Sequence, residues 1–303
     1  MKTVIIFGGS GFVGKHIIRR IAKNGYKVIV PHQRYINEAK LRLLGDTGQI
    51  IPLYFKSLGD KRISNLIFRA DVIINLKTLW DEKKISFSKG IFDFNVDLVK
   101  MIKEIKKTNQ YIYFSGIGID KKSDSKRSRI IFKTEKYIQE NLINSVILRP
   151  GVVIGGGDQF LKSLLPIFKI SFFIPLFGNG LSKFQPVFID DISLAVNKIL
   201  ELKLLGNHLF ELVGKNVFSY REFYEYLANC LNKKKVFVPI PFGIISKMIA
   251  IMEITPFSPL SSEQLKLFNS DNLSNKNNKN FSNLDINPQD LKEIIKKIIK
   301  KNI

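Results

Sequence analysis

The sequence predicts an α/β fold, a doubly wound parallel sheet with helices on both faces and a smaller α+β lobe toward the C-terminus. Two observations carry this prediction. Short apolar runs recur through the first 150 residues and are separated by helix-length segments, an alternation typical of parallel sheets. A glycine-rich turn directly follows the first run, as it does where such a sheet binds a phosphate at a helix N-terminus.

The strands of the sheet are predicted from the apolar runs in this first part. A helix after the glycine turn is indicated by Ile17, Ile18 and Ile21, which recur at helical spacing among basic residues, and by the stop signal Asn24-Gly25. The predicted strands cover residues 4–7, 27–30, 50–55, 72–76, 111–114 and 146–148.

The pattern changes after Pro150, where three glycines and a Phe- and Pro-rich stretch follow. We assign residues 1–155 to the sheet domain, with 185–206 returning to it, and residues 207–303 to the smaller lobe, with 156–184. Within the C-terminal part we predict strands at 208–213 and 236–238, helices at 220–232, 244–253, 262–268 and 288–301, and a surface loop rich in Asn, Ser and Lys at 269–283.

Composition excludes several classes of protein. The chain has 303 residues, 45% of them hydrophobic, which is enough for a sizeable core and excludes disorder throughout. No apolar run reaches the roughly 18–20 residues of a membrane-spanning helix, and the strand at residues 4–7 leaves no room for a signal peptide. Cys230 alone cannot form an intramolecular disulfide, and His16, His32 and His208 lack the spacing of a metal site.

The glycine turn predicts a dinucleotide site. Gly8, Gly11 and Gly14 have the spacing G-x-x-G-x-x-G between a strand and a helix. In that context the first glycine permits the tight turn, the second lets the backbone approach a pyrophosphate, and the third lets the helix pack on the strand. The alternative is a glycine-rich turn that binds no ligand.

The end of the second strand indicates which dinucleotide binds. An Asp or Glu there would bind the ribose of NAD, but the chain has His32, Gln33 and Arg34 and no acidic residue before Glu38. An arginine suits a 2′-phosphate, so NADP(H) is favoured over NAD(H). The alternative is that Arg34 is one of many basic surface residues.

Several further phrases point to one family. The glycine loop, residues 70–76, Phe114-Ser115 and Leu148-Arg149-Pro150 together resemble an extended or atypical short-chain dehydrogenase/reductase, of the NAD-dependent epimerase/dehydratase type with a Rossmann fold. More narrowly, residues 45–50, 185–191, 239–242 and 260–273 resemble the alpha subcomplex subunit nine family of respiratory complex I accessory proteins and its bacterial relatives. The cofactor contacts that we predict are Gly8, Gly9, Ser10, Gly11, Phe12, Val13, Arg34, Leu76, Lys77, Ser115 and Pro150.

The resemblance also locates a lost catalytic pair. In catalytic members a serine positions the substrate, a tyrosine acts as acid and base, and a lysine four residues later lowers the pKa of the tyrosine. Ser115 matches the serine. When Glu135 is taken as the acidic residue that follows the lysine by four, the tyrosine and lysine positions fall at Arg127 and Ile131. An arginine cannot replace the phenol, so conventional hydride transfer is not expected.

Two smaller departures from the family pattern concern cofactor binding. Lys56 stands where an acidic residue would meet the adenine amino group, and Thr78 stands where a glycine is common near the nicotinamide ribose. Both imply a binding mode that differs from that of the family.

The net charge of +22 raises the question of nucleic acid or membrane partners. The densest basic patch is Lys121, Lys122, Lys126, Arg127 and Arg129, which either steers a phosphorylated ligand or acidic partner or is a solvated loop. No RNA- or DNA-binding module with interleaved aromatic residues is present.

The predicted C-terminal helix is amphipathic. Ile294, Ile295, Ile298 and Ile299 form one face, with lysines around it. Such a helix lies on an anionic membrane or packs on the small lobe, and packing is the commoner outcome. The same two alternatives apply to residues 242–252.

Three functional hypotheses follow. The first is a non-catalytic NAD(P)(H)-binding accessory or assembly subunit of complex I, cytoplasmic or peripheral on the cytoplasmic or matrix face of the energy-transducing membrane. The second is an active epimerase, dehydratase or quinone-pathway reductase that uses Ser115 and an unrecognised base. The third, an RNA-binding relative, rests on charge alone.

Overall fold

A central parallel sheet organises the first half of the chain. The structure is a computed structural model that describes residues 1–33, 36–104, 110–253, 261–275 and 277–301. The predicted strands are present, with ends shifted by one or two residues: β1 (Thr3–Phe7), β2 (Lys27–His32), β3 (Ile50–Tyr54), β4 (Val72–Asn75), β5 (Gln110–Phe114) and β6 (Ser145–Pro150).

Helices connect these strands, as the parallel pairing of consecutive strands requires. A turn of π-helix at Ser88–Asp93 leads into the fourth of them. The helices are α1 (Phe12–Lys23), α2 (Glu38–Arg42), α3 (Lys61–Arg69), α4 (Phe94–Glu104) and α5 (Lys126–Asn141).

The second half mixes short strands and helices and ends with a 3₁₀ turn at Phe281–Leu284 before the last helix. Its strands are β7 (Val153–Ile154), β8 (Phe173–Phe177), β9 (Lys183–Phe184), β10 (Val187–Phe188), β11 (His208–Leu212), β12 (Phe218–Ser219) and β13 (Val236–Ile240). Its helices are α6 (Gln159–Ile170), α7 (Ile189–Leu202), α8 (Tyr220–Cys230), α9 (Phe242–Glu253), α10 (Ser262–Leu267) and α11 (Leu291–Lys301).

One strand lies elsewhere than predicted. β11, which the sequence analysis placed in the smaller lobe, pairs in parallel with β6 and forms the edge of the central sheet, whose order is β11-β6-β5-β4-β1-β2-β3. The pairing sets Phe210 beside Leu148, and Phe210 is buried in the core below the sheet. The short apolar pattern of β11 suits a strand of the central sheet or of the smaller lobe, so the pattern does not predict which strand β11 pairs with. The exact division between domain and lobe stays a prediction.

Both faces of the sheet are buried, which explains why its strands read as continuous apolar runs. In β1, Val4 and Ile6 face α1 and α7, whereas Ile5 and Phe7 face the layer of α3, α4 and α5. The glycine turn after β1 is thereby held between two packed layers.

The smaller lobe has its own core, formed by α6, α8, α11 and the short strand pairs β8–β13 and β9–β12. The last helix begins at Leu291, three residues later than predicted, because the backbone N–H groups of Gln289 and Leu291 donate to the side chains of Asp191 and Asn216. Leu291, Ile295 and Ile299 of α11 are buried. Of the two alternatives for this helix, the structure shows packing on the lobe.

The polar segment at 269–283 is irregular, as predicted, but it is tied to both halves of the molecule. Asn272 and Lys279 form isolated bridges to Phe184 and Phe210, and Phe281 at the end of the segment is buried. Within the described ranges, no helix is both long and apolar enough to cross a bilayer.

Candidate functional site

The glycine turn forms a narrow cradle between β1 and α1. Gly8 has a φ of +77°, and a Cβ there would lie 3.0 Å from the carbonyl carbon of Leu76. A Cβ at Gly14 would lie 2.5 Å from the Cα of Gly9, so α1 crosses the strand end with no space for a side chain. Gly8 and Gly14 therefore have the structural roles that the motif predicts for its first and third glycines. The role of Gly11 toward a pyrophosphate stays a prediction.

The N-terminus of α1 opens onto this cradle. Gly11 is the N-cap residue, and no side chain caps the helix. The first-turn N–H groups, from Phe12, Val13 and Gly14, therefore remain available to an anion, which the helix dipole also favours. A Cβ at Gly11 would meet nothing closer than the Gly8 oxygen at 3.3 Å. Ser10 lies half-buried in the turn itself.

A buried polar network fixes the neighbouring end of β4. The Asn75 amide donates to Asn95 Oδ1 (3.0 Å) and to the Tyr111 hydroxyl (3.1 Å), and its oxygen accepts from the backbone N–H of Lys77 (2.9 Å). Asn95 in turn donates to the carbonyl of Ile91 in the π-helical turn. The network holds Leu76 and Lys77 against the glycine turn. Asn95 and Tyr111 were missed by the sequence analysis.

Polar and basic side chains surround the far end of the cleft. Lys77 Nζ donates to Gln33 Oε1 (3.0 Å) and lies 3.9 Å above the Phe94 ring, and Gln33 donates to the carbonyl of Lys56 (3.0 Å). Gln33 therefore joins the Lys77 side chain, which follows β4, to the main chain of Lys56, which follows β3. Arg34, predicted to bind a 2′-phosphate, lies outside the described residues.

A cavity of about 530 Å³ lies beside this cluster, lined by His32, Ile36, Asn37, Glu38 and Tyr54. Glu38 belongs to α2 but reaches back to the end of β2, where its carboxylate lies 3.0 Å from His32 Nε2 and accepts from Arg42 at 2.8 Å. The first acidic residue after the second strand is thus near the strand end, but it is already bound to two basic side chains.

Ser115 follows β5 at the opposite end of the cleft, with Pro150 at the end of the adjacent β6. The backbone N–H of Ser115 donates to the carbonyl of Leu148 (2.8 Å), so the sheet sets the position of Ser115. Among the residues that the structure describes, Ser115 Oγ is the one buried side-chain oxygen or nitrogen without a hydrogen-bond partner. Buried polar groups of this kind are rare and call for a partner.

Arg127 occupies the expected tyrosine position in the first turn of α5, and its side chain is buried. Nε donates to the carbonyl of Leu79 (2.7 Å), a terminal nitrogen donates to Thr78 Oγ1 (2.9 Å), and the guanidinium lies 3.9 Å above the Trp80 ring. Burial lowers the pKa of Arg127 to about 10, so the group stays protonated at neutral pH. It binds the loop after β4 and offers no acid or base for catalysis near pH 7.

The position expected for the lysine is apolar. Ile131 lies one turn beyond Arg127 and is buried in the core against α4 and β5. The Tyr113 hydroxyl on β5 offers no substitute for the lost phenol, since burial raises its pKa above the ordinary value of 10.

Glu135, the acidic residue from which the expected tyrosine and lysine positions were counted, forms a buried ion pair. Its two oxygens accept from Arg149 Nε (2.9 Å) and a terminal nitrogen (2.6 Å) in bidentate geometry, and Glu211 of β11 lies 3.6 Å from the same guanidinium. Glu211 also accepts from the backbone N–H of Asn275 (2.6 Å). The arginine in Leu148-Arg149-Pro150 thus joins α5, β6, β11 and the polar segment.

The sequence analysis did not identify the contact of α10 with this site. Ser261 Oγ donates to the carbonyl of Trp80 (2.9 Å). Glu263 accepts from the Ser125 hydroxyl and from the backbone N–H of Arg127 (3.2 Å). The residues Ser261-Ser262-Glu263-Gln264 form a capping box, and this signal could have predicted where the helix starts. It gives no indication of which residues the helix contacts.

The predicted basic patch is not one continuous surface. Arg127 is buried, Lys126 pairs with Glu82 at 2.7 Å, and Arg129 donates to the carbonyl of Ser123. Lys121 and Lys122 remain exposed. A role of the patch in steering a ligand stays a prediction. No cluster of residues suited to a metal ion occurs in the described part of the chain.

Comparisons with known proteins agree with this geometry. Residues 4–116 match the model of the NAD dependent epimerase/dehydratase family. NADH dehydrogenase (ubiquinone) 1 alpha subcomplex subunit 9 of Arabidopsis thaliana is 30% identical over 302 residues, which cover 95% of this chain and 74% of that protein. The NADH-ubiquinone oxidoreductase 40 kDa subunit of Neurospora crassa is 24% identical over 295 residues, covering 95% and 76%.

Solved structures share the fold. The human epimerase family protein SDR39U1 (isoform 2), solved with NADPH, superposes with a TM-score of 0.68 and 16% identity, covering 98% of this chain and 99% of that one. At this identity the likeness concerns the fold alone.

Proposed function

The chain belongs to the family of NADH dehydrogenase (ubiquinone) 1 alpha subcomplex subunit 9, and from that membership we propose that it is a dinucleotide-binding accessory or assembly subunit of respiratory complex I. In this proposal the dinucleotide is a bound structural or sensing ligand and is not turned over. The observation that carries it is the side chain of Arg127, which is buried and bonded to Thr78 and Leu79 where the catalytic tyrosine would be.

We infer that a dinucleotide lies along this cleft. The pyrophosphate would lie against Gly11 on the first-turn N–H groups of Phe12 and Val13, with Gly8, Gly9 and Ser10 forming the turn. Leu76 and Lys77 would flank the chain of the cofactor, and Ser115 and Pro150 would meet its nicotinamide end. Ser115 Oγ, which is buried without a partner, is available to such a ligand.

The adenosine end favours NADP(H) over NAD(H). The Lys77 ammonium lies there beside Gln33, and Arg34 directly follows Gln33 in the chain. The one acidic residue of this region, Glu38, is engaged by His32 and Arg42. A 2′-phosphate would therefore meet a positive environment.

A thermal-shift titration tests binding. We expect NADPH to raise the melting temperature more than NADH does, because only NADPH carries the 2′-phosphate. The Gly11→Ala variant should lose most of the shift with either dinucleotide, because the added methyl group enters the cradle. Gly243→Ala is the matched control, since a Cβ there meets nothing within 4 Å. No shift with either dinucleotide would contradict binding, and equal shifts would contradict the NADP preference.

A pull-down from the native membrane tests the association. The tagged full chain, expressed in its own host and extracted with mild detergent, should co-purify with NADH:quinone oxidoreductase activity. Recovery only as a free protein would contradict a place in complex I. The position of Ser115 supports the alternative of an active enzyme. An assay of nicotinamide and substrate turnover distinguishes this alternative from a non-catalytic role.

A further inference from the structure

The smaller lobe carries an exposed apolar sheet face. β8 and β13 pair in parallel, with Phe173 beside Val236 and Pro175 beside Val238. These four residues, here called the β8–β13 face, point away from the lobe: Phe173 is 61% exposed, Val236 42% and Val238 40%. The alternate residues Ile174 and Leu176 are buried in the lobe core. One side of the pair therefore packs and the other is apolar but uncovered.

The apolar surface continues into the end of α6. The Phe172 ring packs edge-on against Phe173 with ring centres 5.2 Å apart, and Phe172 is more than half exposed. Ile170, the last residue of α6, is 88% exposed. Contiguous apolar surface of this kind on a folded protein usually marks an interaction site.

Lysines border the β8–β13 face, and acidic residues are absent from its segments. Residues 159–183 and 231–252, which contain α6, β8, β13 and most of α9, include seven lysines and no Asp or Glu. Lys233 and Lys235 donate to the carbonyls of Lys169 and Ser171, which places their charges at the end of α6 beside Phe172. Positive charge and apolar side chains thus share one surface.

We propose that the β8–β13 face docks on an anionic phospholipid surface. Phe173 and Val238 would enter the boundary between headgroups and acyl chains, while the bordering lysines would stay among the phosphates. The charge pattern favours a lipid surface, because a uniformly positive border with no carboxylate complements a uniformly negative one. This proposal is independent of the dinucleotide site.

Vesicle flotation with the full chain tests the docking. We expect the protein to float with vesicles of phosphatidylcholine and phosphatidylglycerol, weakly or not at all with phosphatidylcholine alone, and less as salt is raised. The double variant Phe173→Ser, Val238→Ser should weaken the partition about tenfold. Lys233→Gln with Lys234→Gln should weaken it by about fivefold per lysine.

Matched variants keep the test specific. Leu43→Ser with Ile143→Ser removes two apolar residues of the sheet domain that are more exposed than Phe173 and Val238. Lys296→Gln with Lys297→Gln removes two lysines from α11. Neither double variant should change flotation, and all variants should melt like the parent. Absence of flotation with anionic vesicles would overturn the proposal, and so would flotation that only the α11 variant abolishes. If the parent protein bound no vesicles and the β8–β13 variants no longer co-purified with complex I, the face would be a protein interface.

Discussion

At the scale of residues, two departures from the family pattern turn out to be one contact. Thr78 and Arg127 are 49 positions apart and were noticed separately, but the guanidinium donates to the threonine hydroxyl at 2.9 Å. A glycine at position 78 would offer no side-chain acceptor. The arginine at the position expected for the tyrosine therefore has a partner that a glycine could not supply.

This contact predicts a stability effect. Thr78 is itself exposed, but Thr78→Val keeps the shape of the side chain and removes an acceptor of the buried Arg127 guanidinium, so it should lower the free energy of unfolding by about 0.5–1.5 kcal/mol. Thr47→Val, at an exposed threonine, is the control and should change it by less than about 0.5 kcal/mol. Urea unfolding of the two variants measures the difference, and equal effects would show that the Thr78–Arg127 bond does not stabilise the site.

Some residues of the site could be predicted from sequence and others could not. The glycines and Ser115 lie in short local motifs whose spacing is visible in the chain. Asn95 and Tyr111 complete the network around Asn75 from 20 and 36 positions away, and nothing local in their segments indicates that they meet. The pairing of β4 with β5 brings Tyr111 to Asn75, and the packing of α4 on the sheet brings Asn95 there.

At the scale of elements, α10 closes one side of the site. Burial acts to raise the pKa of Glu263, but hydrogen bonds from Lys266, Ser125 and the Arg127 backbone outweigh it, and the pKa is lowered. A lowered carboxyl pKa means that folding favours the ionised form. The stabilisation is complete above the ordinary value of 4.5 and is lost as the pH falls through the lower folded value.

Trp80 can report this closure, because it is the only tryptophan in the chain and its carbonyl accepts from Ser261. We expect its fluorescence to change as the pH falls below about 4.5, the ordinary glutamate value. Glu263→Gln should remove that acid transition, whereas Glu293→Gln on the surface of α11 should leave it intact. A transition that persists in Glu263→Gln would assign it to another group.

The Arg149 ion pair predicts a larger effect. Removal of one partner of a buried ion pair costs about 3–5 kcal/mol, because a buried charge is left uncompensated. Glu135→Ala should approach this cost in urea unfolding, and Glu140→Ala on the exposed side of the same helix should not. A loss below about 1 kcal/mol for Glu135→Ala would mean that Glu211 alone satisfies Arg149.

The helices and strands were largely predictable where the spacing of the apolar residues followed that of a single type of element. Continuous apolar runs marked the central strands because both faces of the sheet are covered. The prediction failed for the placement of β11 and the start of α11. Both depend on contacts distant in sequence, the pairing of β11 with β6 and the hydrogen bonds of residues 289 and 291 to Asp191 and Asn216.

At the scale of the whole molecule, the basicity is distributed over sites with different roles. Arg127 is buried at the position expected for a tyrosine, Lys77 lies at the end of the cleft beside Gln33, and other lysines border the β8–β13 face. The net charge of +22 therefore does not point to nucleic acid as a partner. In our proposal, the molecule combines a dinucleotide site at the glycine turn with a position, Arg127, that holds no acid or base where the family resemblance places a tyrosine.

The most direct test of this account follows the nicotinamide itself. The purified full chain is loaded with NADPH and incubated with quinones while the absorbance of the reduced nicotinamide is recorded. In parallel, the chain loaded with NADP⁺ is incubated with nucleotide sugars and the sugar products are analysed, because epimerisation and dehydration return the nicotinamide to its starting state. We expect the dinucleotide to bind, NADPH to stay reduced and no new sugar to form, because Arg127 and Ile131 lie at the positions expected for the proton-transfer pair. Oxidation of NADPH or conversion of a nucleotide sugar at an enzymatic rate that Ser115→Ala abolishes would contradict a non-catalytic role.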